Sequence, residues 1–435
     1  MALRCVPTVV SRVWSVCVNV CVGSSLLLLP AERLGYGYGY RLSCRLAAAL
    51  KSPLVLAWLC HLPRGEHGGE SLFGNSRVAT ASHSCSSRSR PTRARVDRRP
   101  KIMRRFTLRQ LAAATPKTLS GEFRSRLEAQ LRTIEDAQTL VPKALEPARA
   151  RIERGWAAAG AATSDVTALT EAEDGAAAAV EEVRKLPATV RAAAPAQGLL
   201  RSTFSAIVGH RALMQAAMLH AKEPLLRPAV ELGSLLEEVV DDSRAFCREK
   251  FGDSPEARVL RVVARGAADS AAEAGDMTAD DAVLLAPFAS FVLHEILKNA
   301  MGAHVRAVGA DKLDRLRPIE VRHGMHNGVA FVGVVDFGGG WGETPVQELS
   351  KFLHTTNPER EPTYTYSRAF GSPFEGLGCG LPLAALHSEY LGGELHLNAI
   401  GWTSNQRPAG AHASFTFDCT GHHSEPSPQY RNSIF

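Results

Sequence analysis

The sequence predicts an α+β protein in which an N-terminal helical bundle is followed by a mixed α/β half. Three observations carry that expectation. Residues 122–251 are dense in Ala, Leu, Glu and Arg, with apolar residues recurring at steps of three and four. Residues 329–335 form an apolar, β-branched run of the buried-strand type, and it ends in Asp336-Phe337-Gly338-Gly339-Gly340. A second glycine-rich stretch, Gly376-Leu377-Gly378-Cys379-Gly380-Leu381-Pro382, leads into a further helical pattern.

The 435 residues are 45% hydrophobic, enough apolar mass for one large or two ordinary cores, which excludes a disordered tail protein and a disulfide-stapled miniature. Charge is unevenly spread: residues 1–105 hold 17 Lys+Arg against 4 Asp+Glu, and the other 330 hold 33 against 40. The basic balance therefore belongs to the leader, and a nucleic-acid role read from whole-chain charge loses its support. The apolar stretches 25–30 and 47–60 are too short, or too interrupted by Lys51, Ser52 and Pro53, for the roughly 20 residues a membrane helix needs. Six cysteines lie in the leader, leaving Cys247, Cys379 and Cys419, a scatter that suggests a reducing compartment.

Taken in order, residues 1–103 read as a basic leader. Residues 82–105 are rich in Ser and Arg with Asp97 the only acid, the composition of a mitochondrial transit peptide or a basic arm. Met103 then opens MRRFTLRQLAAATPKTLS, which by itself looks like a short presequence, so Met103 is a candidate start. Residues 104–255 are expected to form the bundle, with stripes at Phe123, Leu127, Leu131 and Ile134 and at Ile207, Leu213, Ala217 and Leu219. The Ala-rich stretch 157–196, containing Pro187 and Pro195, is expected as one thin helix plus a loop. Leu235, Val239, Phe246 and Phe251 suggest a helix running to Gly252-Asp253-Ser254-Pro255, a domain boundary. His210 is followed by Arg211-Ala212-Leu213-Met214, not by the acid and proline of a two-component phospho-acceptor, and reads as a polar bundle histidine.

The α/β half spans 256–420, with a tail at 421–435. In its first helix, 288–307, Leu293, Ile296, Ala300, Ala303 and Ala307 form an apolar stripe, while Glu295, Asn299, Gly302 and Arg306 share another line. Glu295 is suited to deprotonate a hydroxyl and Asn299 to offer a neutral oxygen to Mg²⁺; a solvated face without chemistry is the plainer reading of this helix alone. Asp336, leaving a buried strand into glycines, is placed to accept a hydrogen bond from a purine amino group, although an Asx turn would explain it equally well. The glycines of 376–380 free backbone N–H groups to wrap an anion at the start of a helix. That helix should stop near Gly392-Gly393, with 394–397 returning as a strand.

In this order the H-E-x-x-K-N helix, the D-x-G-G-G loop and the G-x-G-x-G helix start resemble the motifs of Bergerat-type ATPases. Within that group, residues 294–301, 376–382 and 389–393 are similar to the mitochondrial 2-oxoacid dehydrogenase kinases, which act on the pyruvate or branched-chain complexes. The resemblance implies a helical bundle followed by a Bergerat-type α/β sandwich that binds ATP and Mg²⁺. It also implies serine phosphorylation of the complex's decarboxylase component in the mitochondrial matrix, the lipoyl domain as an anchor, and a homodimer. By matched motif, Glu295 would be the general base, tuned by His294. Asn299 would bind Mg²⁺, Asp336 the adenine, and Gly338, Gly340, Gly376, Gly378 and Gly380 would form the loops around the nucleotide. Thr403 would sit beside the aspartate, and residues 354–375 would be the lid. The family's basic residue after the helix-motif methionine is delayed here to Arg306. Three other readings compete. An ordinary serine/threonine kinase, suggested by Asp336-Phe337-Gly338, lacks the H-R-D loop and V-A-I-K strand. A histidine kinase-like autophosphorylating sensor and a non-catalytic ATP-binding regulator are the other two.

Overall fold

The computed structural model describes residues 105–137, 140–219, 225–262, 282–355, 378–402 and 408–426. These fall within one compact unit. Among the described residues, helical structure begins in the segment that by itself looks like a presequence. Thr107 caps α1 (Leu108–Ala113) in a reciprocal box with Gln110, and Thr115 caps α2 (Pro116–Asp136), with Pro116 in its first turn. Phe106, Leu108, Leu111 and Leu119 are buried in the core. The presequence reading of this stretch is thus corrected in part. Apolar residues at helical spacing mark a targeting peptide and a bundle helix alike, and here they pack.

The bundle continues with α3 (Glu146–Ala161), α4 (Asp165–Arg184), the short α5 (Ala188–Ala192) and α6 (Ala194–Leu219). α2 packs on α3 and α6, and α4 packs on the same two, closing a four-helix ring. The Ala-rich stretch is therefore not one thin helix and a loop. It supplies the end of α3, all of α4 and the start of α6, where Pro195 falls in the first turn and needs no N–H partner. Its lack of bulk is what lets α3 and α4 approach: a Cβ on Gly155 would stand 2.4 Å from the Gly175 Cα. Ala168, Ala172, Ala176 and Ala179 fill the buried face of α4. The expected stripes hold at Phe123, Leu127, Ile134, Ile207 and Leu213.

Two very short strands, β1 (Arg227–Pro228) and β3 (Val283–Leu284), pair with each other. The main sheet comprises β2 (Ala257–Arg261), β4 (Ile319–His326), β5 (Val329–Asp336), β6 (Leu395–Trp402) and β7 (Pro408–Asp418), in the order β2-β4-β5-β7-β6. Only β2 and β4 run parallel; the other neighbours are antiparallel. The run at 329–335 is the middle strand. Period-2 alternation sends Ile319, Val321, Ala330, Val332, Val334, Ala413 and Phe415 to one buried face. Three helices cover it: α7 (Leu232–Phe251), α8 (Ala286–Val308) and α10 (Gly380–Tyr390), α8 lying between the other two. α7 ends where the sequence indicates, at Gly252 with φ +90°. A one-turn helix, α9 (Val346–Leu349), follows the loop after β5.

A buried ion pair joins the two halves. Glu425, 4% exposed, accepts from the Phe106 N–H at 2.9 Å, from Arg126 Nη1 at 3.0 Å and from the Tyr390 hydroxyl at 3.1 Å. Arg126 Nη2 donates to the other carboxylate oxygen. Arg126 comes from the bundle, Tyr390 from α10, and Glu425 from the segment beyond β7. Residues 105–109 and 420–425 are further tied by Glu425 N–H to Phe106 O (2.9 Å), Arg109 Nε to Thr420 O (2.7 Å) and Arg105 Nε to Glu425 O (2.7 Å). Burial pushes the Tyr390 phenol up, with the adjacent carboxylate adding to it.

His210 lies fully buried beside this pair, edge-on to Phe123 (4.9 Å between centroids) and Trp156 (5.3 Å). Desolvation, and secondly Arg126, lower its pKa to about 3, so it is neutral. Among the described residues no helix is long and apolar enough to cross a membrane. Glu425→Ala leaves Arg126 buried without its main counter-ion, and is expected to cost about 3 kcal/mol or more in urea unfolding. A loss below about 1 kcal/mol would show that the pair does not bind the halves together.

Candidate functional site

Pro287 sits in the first turn of α8 and Gly309, φ +84°, follows its last turn. The helix buries Phe288, Val292, Leu293, Ile296, Leu297, Ala300, Met301 and His304. The expected stripe holds through Ala300 and then departs: Ala307 is exposed, and Met301 and His304 turn inward instead. The other edge presents the sequence-selected residues. Glu295 is half-buried, its carboxylate in contact with the Lys298 ammonium one turn on. Asn299 is exposed. His294 faces α7, its Nδ1 3.0 Å from the Ser243 hydroxyl. Desolvation, and then Lys298, lower its pKa to about 4, so the ring is neutral near pH 7.

Both glycine loops are laid against this helix. A Cβ on Gly380, at the start of α10, would stand 2.1 Å from Glu295 Oε2 and 3.7 Å from Lys298 Nζ. A Cβ on Gly338 would stand 2.6 Å from the Ala303 carbonyl carbon and 2.7 Å from the His304 nitrogen. Gly340 and Gly378 take φ +65° and +74°, conformations that glycine adopts without strain. α10 begins at Gly380, which puts Pro382 at its third position; no intrahelical N–H bond is due there, so the ring is tolerated.

Asp336 ends β5 on the helix-facing side, 6% exposed. Its Oδ1 accepts the Gly338 N–H at 2.9 Å, and the Phe337 N–H donates to His304 Nε2 at 3.0 Å, which pins the turn to α8. Burial raises the Asp336 pKa to about 6 against the lowering effects of the Gly338 and Ala411 N–H groups and Arg306. The His304 pKa is lowered to about 4 by burial, which keeps Nε2 an acceptor. Arg306 folds back over Gly302: a Cβ there would be 3.1 Å from Arg306 Nη1. The missing side chain at 302 thus makes room for a guanidinium delivered from the next turn.

The structure thus brings Glu295, Asn299, Asp336, Gly338 and Gly380 onto α8 or directly against it, with Gly340 and Gly378 in the adjoining loops. Gly376 and Thr403 lie outside the described residues, as do all but the first two residues of the 354–375 stretch. Among the described residues no group of three His, Cys, Asp or Glu is placed to hold a metal ion. An Mg²⁺ site would need oxygens from Asn299 and a bound nucleotide. Sequence reasoning missed Ser243 and His304. Neither stands in a motif, and His304 has a signal only in hindsight, as a polar residue on the buried side of α8.

The chain is 26% identical over 172 residues to the mitochondrial pyruvate dehydrogenase (acetyl-transferring) kinase of Drosophila melanogaster, covering 40% of this chain and 39% of that one. It is 25% identical over 176 residues to the mitochondrial human isozyme 4, covering 40% and 38%. It is 26% identical over 170 residues to a probable mitochondrial pyruvate dehydrogenase kinase of Caenorhabditis elegans, covering 39% and 38%. The chain thus resembles pyruvate dehydrogenase kinases over about two fifths of their length. No family model matches it. Among solved structures, the mycobacterial sensor histidine kinase MprB aligns at 16% identity with a TM-score of 0.26, covering 44% of this chain and 96% of that one.

Because folding raises the Asp336 pKa to about 6, the stability this group contributes is present at low pH and lost as pH rises through that value. Asp336→Asn removes the buried charge, and is expected to raise the melting temperature of the ligand-free protein by about 2 °C near pH 7.5. Below pH 4 the difference should vanish. A lower melting temperature at both values would contradict the burial argument.

Proposed function

We propose that this chain is an ATP-dependent protein kinase that phosphorylates serine on the decarboxylase component of a mitochondrial 2-oxoacid dehydrogenase complex. The observation that carries the reading is the placement of both glycine loops against α8, Gly380 on Glu295 and Gly338 about two turns further on at Ala303 and His304. It is supported by the likeness to pyruvate dehydrogenase kinases. The residues fit a purine nucleotide: a buried carboxylate with more lone pairs than the two backbone N–H groups it accepts, glycine backbone at a helix start, and an exposed amide one turn from an acid. A pyruvate-directed target follows the relatives' names, with a homodimer, lipoyl-domain anchoring and a matrix location as further parts of the proposal.

In this reading Asp336 accepts from the adenine amino group and the Gly338 loop lies along the base. The N–H groups at the start of α10 face the phosphates. Asn299 offers its carbonyl oxygen to Mg²⁺, which when bound offsets phosphate charge. Glu295 takes the proton of the substrate serine as its oxygen bonds to the γ-phosphorus and the bond to the β-phosphate oxygen breaks. His294 and Ser243 hold the helix edge from behind. The autophosphorylating-sensor alternative has little support, because His210 is sealed between Phe123 and Trp156 with no exposure to solvent.

Glu295→Gln is expected to reduce phosphate transfer by about 10² to 10⁴ while leaving Mg-ATP affinity within about threefold. Purified protein incubated with Mg-ATP and either the pyruvate or the branched-chain complex should yield acid-stable phosphoserine. Acid-labile label, or undiminished transfer by Glu295→Gln, would overturn the assignment. Nucleotide affinity of the unaltered chain should fall as pH drops through about 6, where Asp336 gains its proton.

A further inference from the structure

A bundle side chain holds the backbone that meets the second glycine loop. Gln197, in the first turn of α6, uses its amide fully. Nε2 donates to Arg191 O at 2.7 Å and to Phe352 O at 3.1 Å, and Oε1 accepts the Phe352 N–H at 2.8 Å. The Phe352 ring is 5% exposed and stacks on Phe204 of α6 at 5.1 Å. The next residue, Leu353, has φ +63°, a left-handed conformation that a bulky side chain rarely takes. In that conformation its N–H donates to Gly378 O at 3.0 Å. Gly378, itself left-handed, crosses the His354 backbone so closely that a Cβ would stand 2.1 Å from His354 O. Two residues later Gly380 lies on Glu295.

We propose that Gln197 is a positioning residue for the nucleotide site. By gripping both polar backbone atoms of Phe352 it holds Leu353 in its strained conformation. Leu353 in turn sets Gly378, and with it the Gly380 backbone, against Glu295. Nucleotide affinity therefore depends on an amide in the helical bundle that does not itself touch the glycine loop. The inference deepens the kinase reading above and rests on it.

The test uses the full chain and two readouts: hydrogen exchange at the Leu353 amide without nucleotide, and calorimetric titration with Mg-ATP. Gln197→Ala should speed Leu353 exchange by about tenfold or more and weaken Mg-ATP binding by about tenfold, with far-ultraviolet circular dichroism unchanged. Gln197→Glu keeps the acceptor for the Phe352 N–H but has no donor for Phe352 O, and should fall between Gln197→Ala and the unaltered chain. Adding Leu353→Gly to Gln197→Ala should restore affinity to within about threefold, since glycine takes a positive φ unaided. A merely loosened bundle would not be rescued this way. Unchanged Leu353 exchange in Gln197→Ala overturns the inference whatever the nucleotide does, and so does a double variant that binds no better than Gln197→Ala. An unaltered chain that binds no Mg-ATP sinks the nucleotide reading itself, and the exchange readout still decides whether Gln197 governs Leu353.

Discussion

The site depends on two glycines laid against α8, one on its backbone and one on a side chain that it carries. At Gly338 and Gly380 the distances left for a Cβ are 2.6 and 2.1 Å, and in both cases the obstructing atoms belong to α8. A larger residue at Gly338 would push its loop off the α8 backbone, whereas one at Gly380 would first displace the Glu295 carboxylate, the far end of a flexible side chain. The helix, for its part, is fixed by the core on its opposite side. The glycines therefore act by allowing contact, and Glu295 and Asn299 stand on the rigid partner of that contact.

Charge follows from the same closeness. Asp336 is desolvated because the turn after β5 is drawn onto α8 by the Phe337 to His304 bond, and a desolvated carboxylate is an expensive residue to keep unless it has a use. His304 stays neutral for the same reason, which is what allows it to accept that bond. Arg306, whose charge acts on this carboxylate, passes close over residue 302, where glycine leaves it room, so one small residue bears on both packing and electrostatics.

Much of this was legible in the sequence. The strand at 329–335, the stop near Gly392 and the alignment of Glu295, Asn299, Gly302 and Arg306 all follow from local periodicity and punctuation, which tertiary contacts did not override. What was not legible depended on contacts distant in sequence. The Ala-rich stretch looked too thin to pack because nothing local says that Gly155 and Gly175 will meet. Gln197 and Phe352 are 155 positions apart, and Leu353 is an ordinary leucine until its φ is known. The segment after Met103 looks like a presequence when taken by itself, because a bundle helix and a targeting peptide share one amphipathic pattern.

The pairing of 105–109 with 420–425 has a consequence for proteolytic maturation. Any protease trimming from the amino-terminal side meets a limit at Arg105. One residue further and Glu425 loses the Phe106 amide; a few more and the first cap is gone with the apolar contacts behind it. A cut ahead of Arg105 leaves every one of these ties between 105–109 and 420–425 in place.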